Sequence, residues 1–286
     1  MRYINFNQLR SFHAVAQSGN VTSASRLLNV SQPTVTTQLK QLEETYGVEL
    51  VFRKARGIGL TPTGEALHRM TKRIFALEED ALNLFADARN LSAGEIRFGT
   101  VGPHYSIRLL TRFHREYPGV KINLTTSNSD HLRRQVLDFD LDIAIIGNVP
   151  DDPALESHLL STQEVVLVVG RDHPWYGRDT VELRELHNTK VITREVGSET
   201  RSVIENVLLE RDVHPDVVIE VYRDAVREAA REGLGVGILS EPEFWAGDDA
   251  LHKIRISDAQ IETSAHIVWL KERADMRVIK AVLDLV

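Results

Sequence analysis

Along the first sixty residues, hydrophobic positions recur at helical spacing and are broken by short polar turns. Phe6, Leu9, Phe12, His13 and Ala16 lie on one face of a predicted helix that Gly19-Asn20 stops. A short second helix follows, with Thr22 placed to cap it and Ala24, Leu27 and Leu28 facing inward. After a turn at Asn29-Val30, Ser31 is placed to cap a third helix. Pro33 falls in its first turn, where a missing N–H does no harm. Val35, Leu39, Leu42 and Tyr46 make the apolar stripe of that helix, and Thr34, Thr37, Gln38 and Gln41 take its other side.

Helix, tight turn and helix with a hydrogen-bonding outer face is the pattern of a helix-turn-helix, whose second helix enters the DNA major groove. Hydroxyls and amides reach base edges and phosphates, and short ones let the backbone approach closely. The run VELVFRKARGIGLT then reads as two short β-prone segments around Arg53, Lys54, Arg56 and Gly57, a basic wing. The plainer alternative is a solvated polar face on a small helical domain. The wing and the local charge weigh against it.

Leu67, Met70, Ile74, Leu77, Ala81, Leu84, Ala88 and Leu91 follow at alternating spacings of three and four, a heptad seam. At 1.5 Å per residue, roughly 28 residues make a rod of about 42 Å. The opposite face is charged, and no neighbouring helix of matching length is evident, so the seam is expected to dimerise. Two-fold symmetry would then set two basic modules on two half-sites.

From Ser92-Ala93-Gly94 onward the pattern changes. Short β-rich runs at 95–100, 120–126, 141–146, 164–170, 190–193, 217–221 and 236–239 alternate with amphipathic helices at 106–117, 130–137, 199–210 and 224–232. That alternation predicts an α/β domain with largely parallel sheets.

Charge sharpens the picture. Residues 1–73 hold ten Lys or Arg against four acids, an excess of six, in a chain of net charge −7; the rest therefore carries −13. A basic module on an acidic body is the asymmetry of a local polyanion-binding segment. The absence of cysteine among 286 residues excludes disulfides, Cys-based zinc sites and thiol catalysis. The N-terminus lacks a signal-peptide core and no apolar run approaches about 20 residues, so a soluble cytoplasmic protein with no membrane partner is expected.

The N-terminal 64 residues closely resemble the winged helix-turn-helix of LysR-type transcriptional regulators. The resemblance is carried by LRSFHAVAQSGNVTSASRLLNVSQPTVTTQLKQLEETYGVEL and by Arg53, Arg56, Leu60, Thr61 and Gly64. Two positions depart from that pattern: Val51 stands where the family usually has Phe, and Ser25 where it usually has Ala. EIRFGT, FHREYPGVKINL, VLDFDLDIAIIG and AAREGLGVGILSE look like landmarks of the family's effector domain, so the resemblance extends over the whole chain.

The resemblance implies an all-α winged helix-turn-helix (1–62), a long coiled-coil linker helix (63–92) and an α/β effector domain similar to periplasmic binding proteins (93–286). That domain would consist of subdomain I (93–162 and 266–286) and subdomain II (163–265). The strand 264–270 would return the chain to subdomain I, and a last helix over 273–286 would finish it. The expected partners of such a bacterial regulator are double-stranded operator DNA, a small anionic effector and further copies in a homodimer or homotetramer, with RNA polymerase as a further protein partner; no cofactor is implied. Ser31, Gln32, Pro33, Thr34, Thr36, Thr37 and Gln38 would face bases and adjacent phosphates, with Lys40, Arg53 and Arg56 on the backbone.

In open α/β sheets, ligands lie beyond the carboxyl ends of strands, against helix N-termini. Those points select Thr100, Gly102, His104, Tyr105, Ser127, Asn128, Ser129, Asn148, Glu195, Ser198, Thr200 and Asp224 as candidates for a small anion. For Ser127, Ser129 and Ser198 the plainer role is helix capping. More narrowly, SNS at 127–129, REVGSETR at 194–201 and SEPEF at 240–244 are similar to LysR regulators associated with 2-aminoethylphosphonate catabolism. That likeness implies a phosphonate on Ser127, Asn128, Ser129, Ser198 and Thr200, and an ammonium on Glu195 or Asp224. A different small carboxylate or sulfonate is the competing effector.

An enzyme is not supported. No GxSxG, GxxxxGK[ST] or HExxH occurs, the eleven histidines lack metal-ligand spacing, and GLGVG (233–237) misses the dinucleotide fingerprint's third glycine. His104 and His131 fall at the cleft but read more simply as exposed loop residues. A transporter's solute-binding protein fits neither the N-terminal module nor the missing export signal.

Overall fold

The computed structural model describes residues 3–55, 57–87, 94–149, 151–244, 247 and 249–286; side chains at 83–87 are excepted. The chain forms two compact units, divided at 88/89.

The first unit opens with α1 (Phe6–Ser18), capped by the Asn5 side chain, which accepts from the N–H groups of Asn7 and Gln8. The cap of α2 (Val21–Leu27) is Asn20 and not Thr22: Asn20 has extended backbone and takes the Ser23 N–H at 2.7 Å, whereas Thr22 already lies inside the helix. Ser31 caps α3 (Gln32–Tyr46) by accepting from Thr34 N–H. Phe12, Val15, Ala24, Val35, Leu39, Leu42 and Leu50 form the core. Leu27 points to solvent at the end of its seven-residue helix, contrary to expectation, and Tyr46 is half exposed. The wing is an antiparallel pair, β1 (Val51–Arg53) and β2 (Ile58–Leu60), held to the end of α1 by Ile58 N–H donating to the Gly19 carbonyl.

The long helix α4 (Pro62–Asp87) does have a helical neighbour. α1 lies along it through His13 Nδ1 to Thr71 Oγ1 (2.9 Å), Arg10 to Glu78 (2.6 Å) and the edge-on rings of Phe6 and Phe75. Thr71 and Ala76 are buried there, while Met70, Leu77 and Ala81 of the seam stay exposed, joined by Leu82. Leu67 turns into the helix-turn-helix core, and Ile74 is half-buried. The Leu84 side chain, Ala88 and Leu91 lie outside the described residues, as does Arg56 of the wing.

The second unit is α/β. In chain order it runs β3 (Gly94–Thr100), α5 (Pro103–Glu116), β4 (Val120–Thr126), α6 (Ser129–Leu137), β5 (Ile143–Ile146) and β6 (Leu155–Gly170). It continues with β7 (Thr180–Val181), β8 (Lys190–Arg194), α7 (Glu199–Glu210), β9 (Asp216–Val221), α8 (Arg223–Arg231), β10 (Val236–Ser240), β11 (Leu251–Ile256), β12 (Glu262–Leu270) and α9 (Arg277–Leu283). Hydrogen bonding links them in the order β4-β3-β5-β12-β6-β10-β8-β9. β3 pairs in parallel with β4 and β5, and β8 with β9 and β10. β12 and β6 run antiparallel to their neighbours and pass between the two lobes.

Lobe I buries Phe98, Phe113, Ile143, Ile145, Ile267, Ile279 and Val282 between its sheet and the helices α5 and α9. Lobe II buries Leu167, Ile204, Leu208 and Ile238 under α7, and Val166, Ile192, Val226 and Leu239 under α8. The expected last helix over 273–286 is shorter because a 3-10 turn, Lys271–Arg273, precedes it. That turn brings Arg273 Nη1 to within 2.8 Å of the buried Asp142, which Arg97 also holds. Burial would raise the Asp142 carboxyl, but the hydrogen bonds and charge of Arg97, with the charge of Arg273, hold it below the usual range. Among the described residues no helix is long and apolar enough to cross a membrane, and no group of His, Asp and Glu has the makings of a metal site.

Candidate functional site

On the first unit, the N-terminal half of α3 presents Ser31, Gln32, Pro33, Thr36, Thr37 and Lys40 to solvent, with Thr34 and Gln38 half-buried. Local bonding separates these side chains. Ser31 Oγ and Thr34 Oγ1 are 2.7 Å apart within the cap, Thr36 Oγ1 donates back to the Gln32 carbonyl, and Ser11 Oγ donates to Gln38 Oε1 at 2.5 Å. Gln32 and Thr37 extend into solvent, and Gln38 keeps its amide NH2 for another partner. Arg53 is exposed on the wing, where Lys54 lies over the Phe52 ring.

On the second unit, the carboxyl ends of β3, β5 and β8 meet the N-termini of α6, α7 and α8 around a small open cavity of about 20 Å3. Val101, Tyr105, Asn128, Ser129, Gly147, Arg194, Ser198, Glu199, Arg223, Thr263 and Ser264 line it. The two lobes touch here: Asn128 Nδ2 donates to the Val196 carbonyl at 3.2 Å, and Asp130 N–H faces the Gly197 carbonyl at 3.4 Å.

Four sequence candidates line this wall: Tyr105, Asn128, Ser129 and Ser198. Asn128, and not a serine, caps α6 through His131 N–H. Ser129 Oγ accepts from Gly147 N–H, and Ser198 sits at the N-cap of α7 without a side-chain cap bond. The other candidates lie elsewhere. Thr100 is buried, its hydroxyl closing the turn onto Gly102; the Ser127 N–H faces the Thr100 carbonyl; Thr200 is buried in the first turn of α7. Asn148 and Asp224 are exposed off the cavity lining, and His104 faces an open groove with Arg108 and Arg112. His104 is held down, to about 4, by burial and then by the Arg223 guanidinium, so its ring is neutral at pH 7.

Glu195, expected to meet an ammonium, is committed to its neighbour: Arg194 donates to it through Nε at 2.8 Å and Nη2 at 3.0 Å, both side chains buried. Arg194 and Arg223 are the functional groups that sequence reasoning missed. Arg223 Nη1 is paired with one oxygen of the buried Glu243; the other oxygen lies 3.9 Å from Arg194 Nη1. Among the described residues Arg194 Nη1 itself has no hydrogen-bond partner, although only 2% of the side chain is exposed. Burial pushes the Glu243 carboxyl up and the Arg223 guanidinium down, against their mutual attraction. A buried guanidinium with one nitrogen still able to donate, beside a second arginine and helix N-termini, has the chemistry to take a small oxyanion. The clue in the sequence was Arg-Glu at a strand end directly before Val-Gly-Ser.

Comparison with known proteins places each unit in a family. Residues 6–65 match the family of bacterial regulatory helix-turn-helix proteins, lysR family, and residues 89–286 match the LysR substrate binding domain. The transcriptional activator CmpR of Synechocystis is 30% identical over 243 residues, 84% of this chain and 80% of that protein. A full-length OxyR variant from Pseudomonas aeruginosa has the same fold, with TM-score 0.79 and 21% identity over 100% of this chain and 95% of that one. The CcmR regulatory domain of Synechocystis, solved in complex with 2-PG, gives TM-score 0.62 and 23% identity over 67% of this chain and 94% of its own. The chain belongs to the LysR family: it is a DNA-binding transcriptional regulator with a small-molecule effector domain, not an enzyme.

Proposed function

We propose that this regulator senses a small anion in the cavity of its effector unit, and that the effector is 2-aminoethylphosphonate. The observation that carries the reading is buried Arg194 in the cavity wall, whose Nη1 has an ion-pair neighbour in Glu243 at 3.9 Å but, among the described residues, no hydrogen bond. A buried donor left unsatisfied costs about 1–3 kcal/mol, more when charged, and an oxyanion removes that cost on binding. Ser198, Ser129 and Asn128 supply further hydroxyl and amide groups. The enclosed space is small, about 20 Å3, little more than one water needs, so a ligand of few non-hydrogen atoms is favoured and its entry requires the lobes to give. The CcmR domain solved with 2-PG is a relative in fold that takes a small molecule.

Thermal melting of the full chain tests this. 2-Aminoethylphosphonate is expected to raise the melting temperature with dose, corresponding to about 2.7 kcal/mol at a hundredfold excess over Kd. Inorganic phosphate and ethanolamine should give no comparable shift. A rise with a carboxylate or sulfonate and none with 2-aminoethylphosphonate would transfer the site to the competing effector class.

The DNA-binding reading places the N-terminal half of α3 in the major groove, with the exposed seam of α4 joining two copies. The protein then acts where its operator is, in the cytoplasm. Thr37→Ala is expected to cost about 1–3 kcal/mol on cognate DNA and little on scrambled DNA. Arg53→Ala should weaken both alike and reduce the salt slope by about 1. Anisotropy titrations over a salt series separate the two, and equal losses for both variants on both DNAs would refute the division of labour. Coupling between effector and operator of this kind is typically about 1–3 kcal/mol.

A further inference from the structure

The anion site leaves two carboxyl groups without a role. Glu199 opens α7 of lobe II and lines the cavity. Asp130 lies in the first turn of α6 of lobe I, packed under Gly197. Among the described residues neither side chain has a hydrogen bond or ion pair. Glu199 reaches across to the opposite lobe: its Cβ and Cγ lie 2.7 and 2.9 Å from where a Gly147 Cβ would stand, so the glycine makes the slot it occupies.

The arginines lie elsewhere in the same cavity. Arg223 Nη1 stands 3.2 Å from an equivalent point on Gly102, in the loop after β3, whereas Glu199 stands over the loop after β5. β3 and β5 are adjacent strands. The two side chains therefore stand over the ends of neighbouring strands, which run about 4.8 Å apart, so that one short-chain ligand can approach both.

We infer that Glu199, with Asp130 facing it from the other lobe, receives a cationic group of the effector, so that the cavity selects a zwitterion with its oxyanion and ammonium on a short chain. The inference rests on the reading of the cavity as an anion site at Arg194 and Arg223. Two like charges from opposite lobes oppose closure; an ammonium between them reverses the sign, so the cationic end of the ligand is what favours the closed cleft. Burial, with the Asp130 charge behind it, raises the Glu199 carboxyl, as expected for a group lacking its counter-ion.

The experiment is calorimetric titration of the full chain with isosteric pairs: 2-aminoethylphosphonate against propylphosphonate, and 3-aminopropionate against butyrate. In at least one pair the wild type should prefer the amino compound by about tenfold or more, the worth of a charge-assisted hydrogen bond. Glu199→Gln should bring that ratio close to one. Glu210→Gln, an exposed acid at the far end of α7, should leave it as in the wild type. Equal affinity of the wild type for the two members of each pair, or an unchanged ratio in Glu199→Gln, overturns the ammonium site while the anion site stands. Binding of none of the four compounds overturns both.

Discussion

Arg194→Met is expected to cost about 3–5 kcal/mol of the effector unit's stability and to abolish effector binding. The side chain is 2% exposed and neutralises two buried acids, Glu195 directly and Glu243 at 3.9 Å. Removing one partner leaves the others charged in a medium that solvates them poorly, so the loss exceeds the modest net worth of the pair itself. Methionine fills much of the volume, which keeps the cavity contribution small. The paired substitution Arg194→Met with Glu195→Leu removes both charges and should recover a good part of the stability while effector binding stays lost. Urea unfolding of both variants, followed by calorimetry on the folded protein, separates the electrostatic cost from the loss of the ligand's partner. A loss below about 1 kcal/mol in the single variant would mean that water reaches this guanidinium.

Gly64→Ala should damage the other unit. A Cβ at this position would lie 2.0 Å from the Leu50 carbonyl oxygen, a backbone atom that already accepts from Thr61 N–H. Alanine in a helix gains about 1 kcal/mol over glycine, which alone would stabilise α4. The clash outweighs it, because relief requires moving either the start of α4 or the segment carrying Leu50, itself buried in the core beside Leu42. We expect a net loss of roughly 2–4 kcal/mol, with cognate DNA binding lost and calorimetric effector binding retained. An unchanged or raised melting temperature would show that the entry to α4 yields without strain.

The same two sites show what sequence patterns can reveal. Gly64 was marked by its place in LTPTG, and the helix-turn-helix core followed from spacing alone, because each small helix buries one stripe of its own. The apolar pattern marks β6 only over 164–170, where Val165 to Val169 are continuously buried. Its first half is absent from any such pattern because residues 155–164 cross between lobes with both faces partly exposed. The seam of α4 was legible, but its second face, turned to α1, was masked by histidine and threonine at the contact. The arginines of the cavity escaped for a related reason. A charged residue at a strand end normally faces water, and nothing local says that Glu243, about fifty residues away in sequence, will close over Arg194.

The two lobes share a spine rather than a linker. β12 lies between β5 and β6, and β6 continues without interruption into the sheet of lobe II, so one hydrogen-bonded ladder runs through both. Neither lobe is therefore a separable module. A fragment ending before β12 would leave β5 and the first half of β6 each with a raw edge, the usual template for aggregation. During synthesis, lobe I must wait for the last strand of the chain while lobe II lies between its halves. Any change in the angle between the lobes therefore has to bend two adjacent paired strands, β6 and β12.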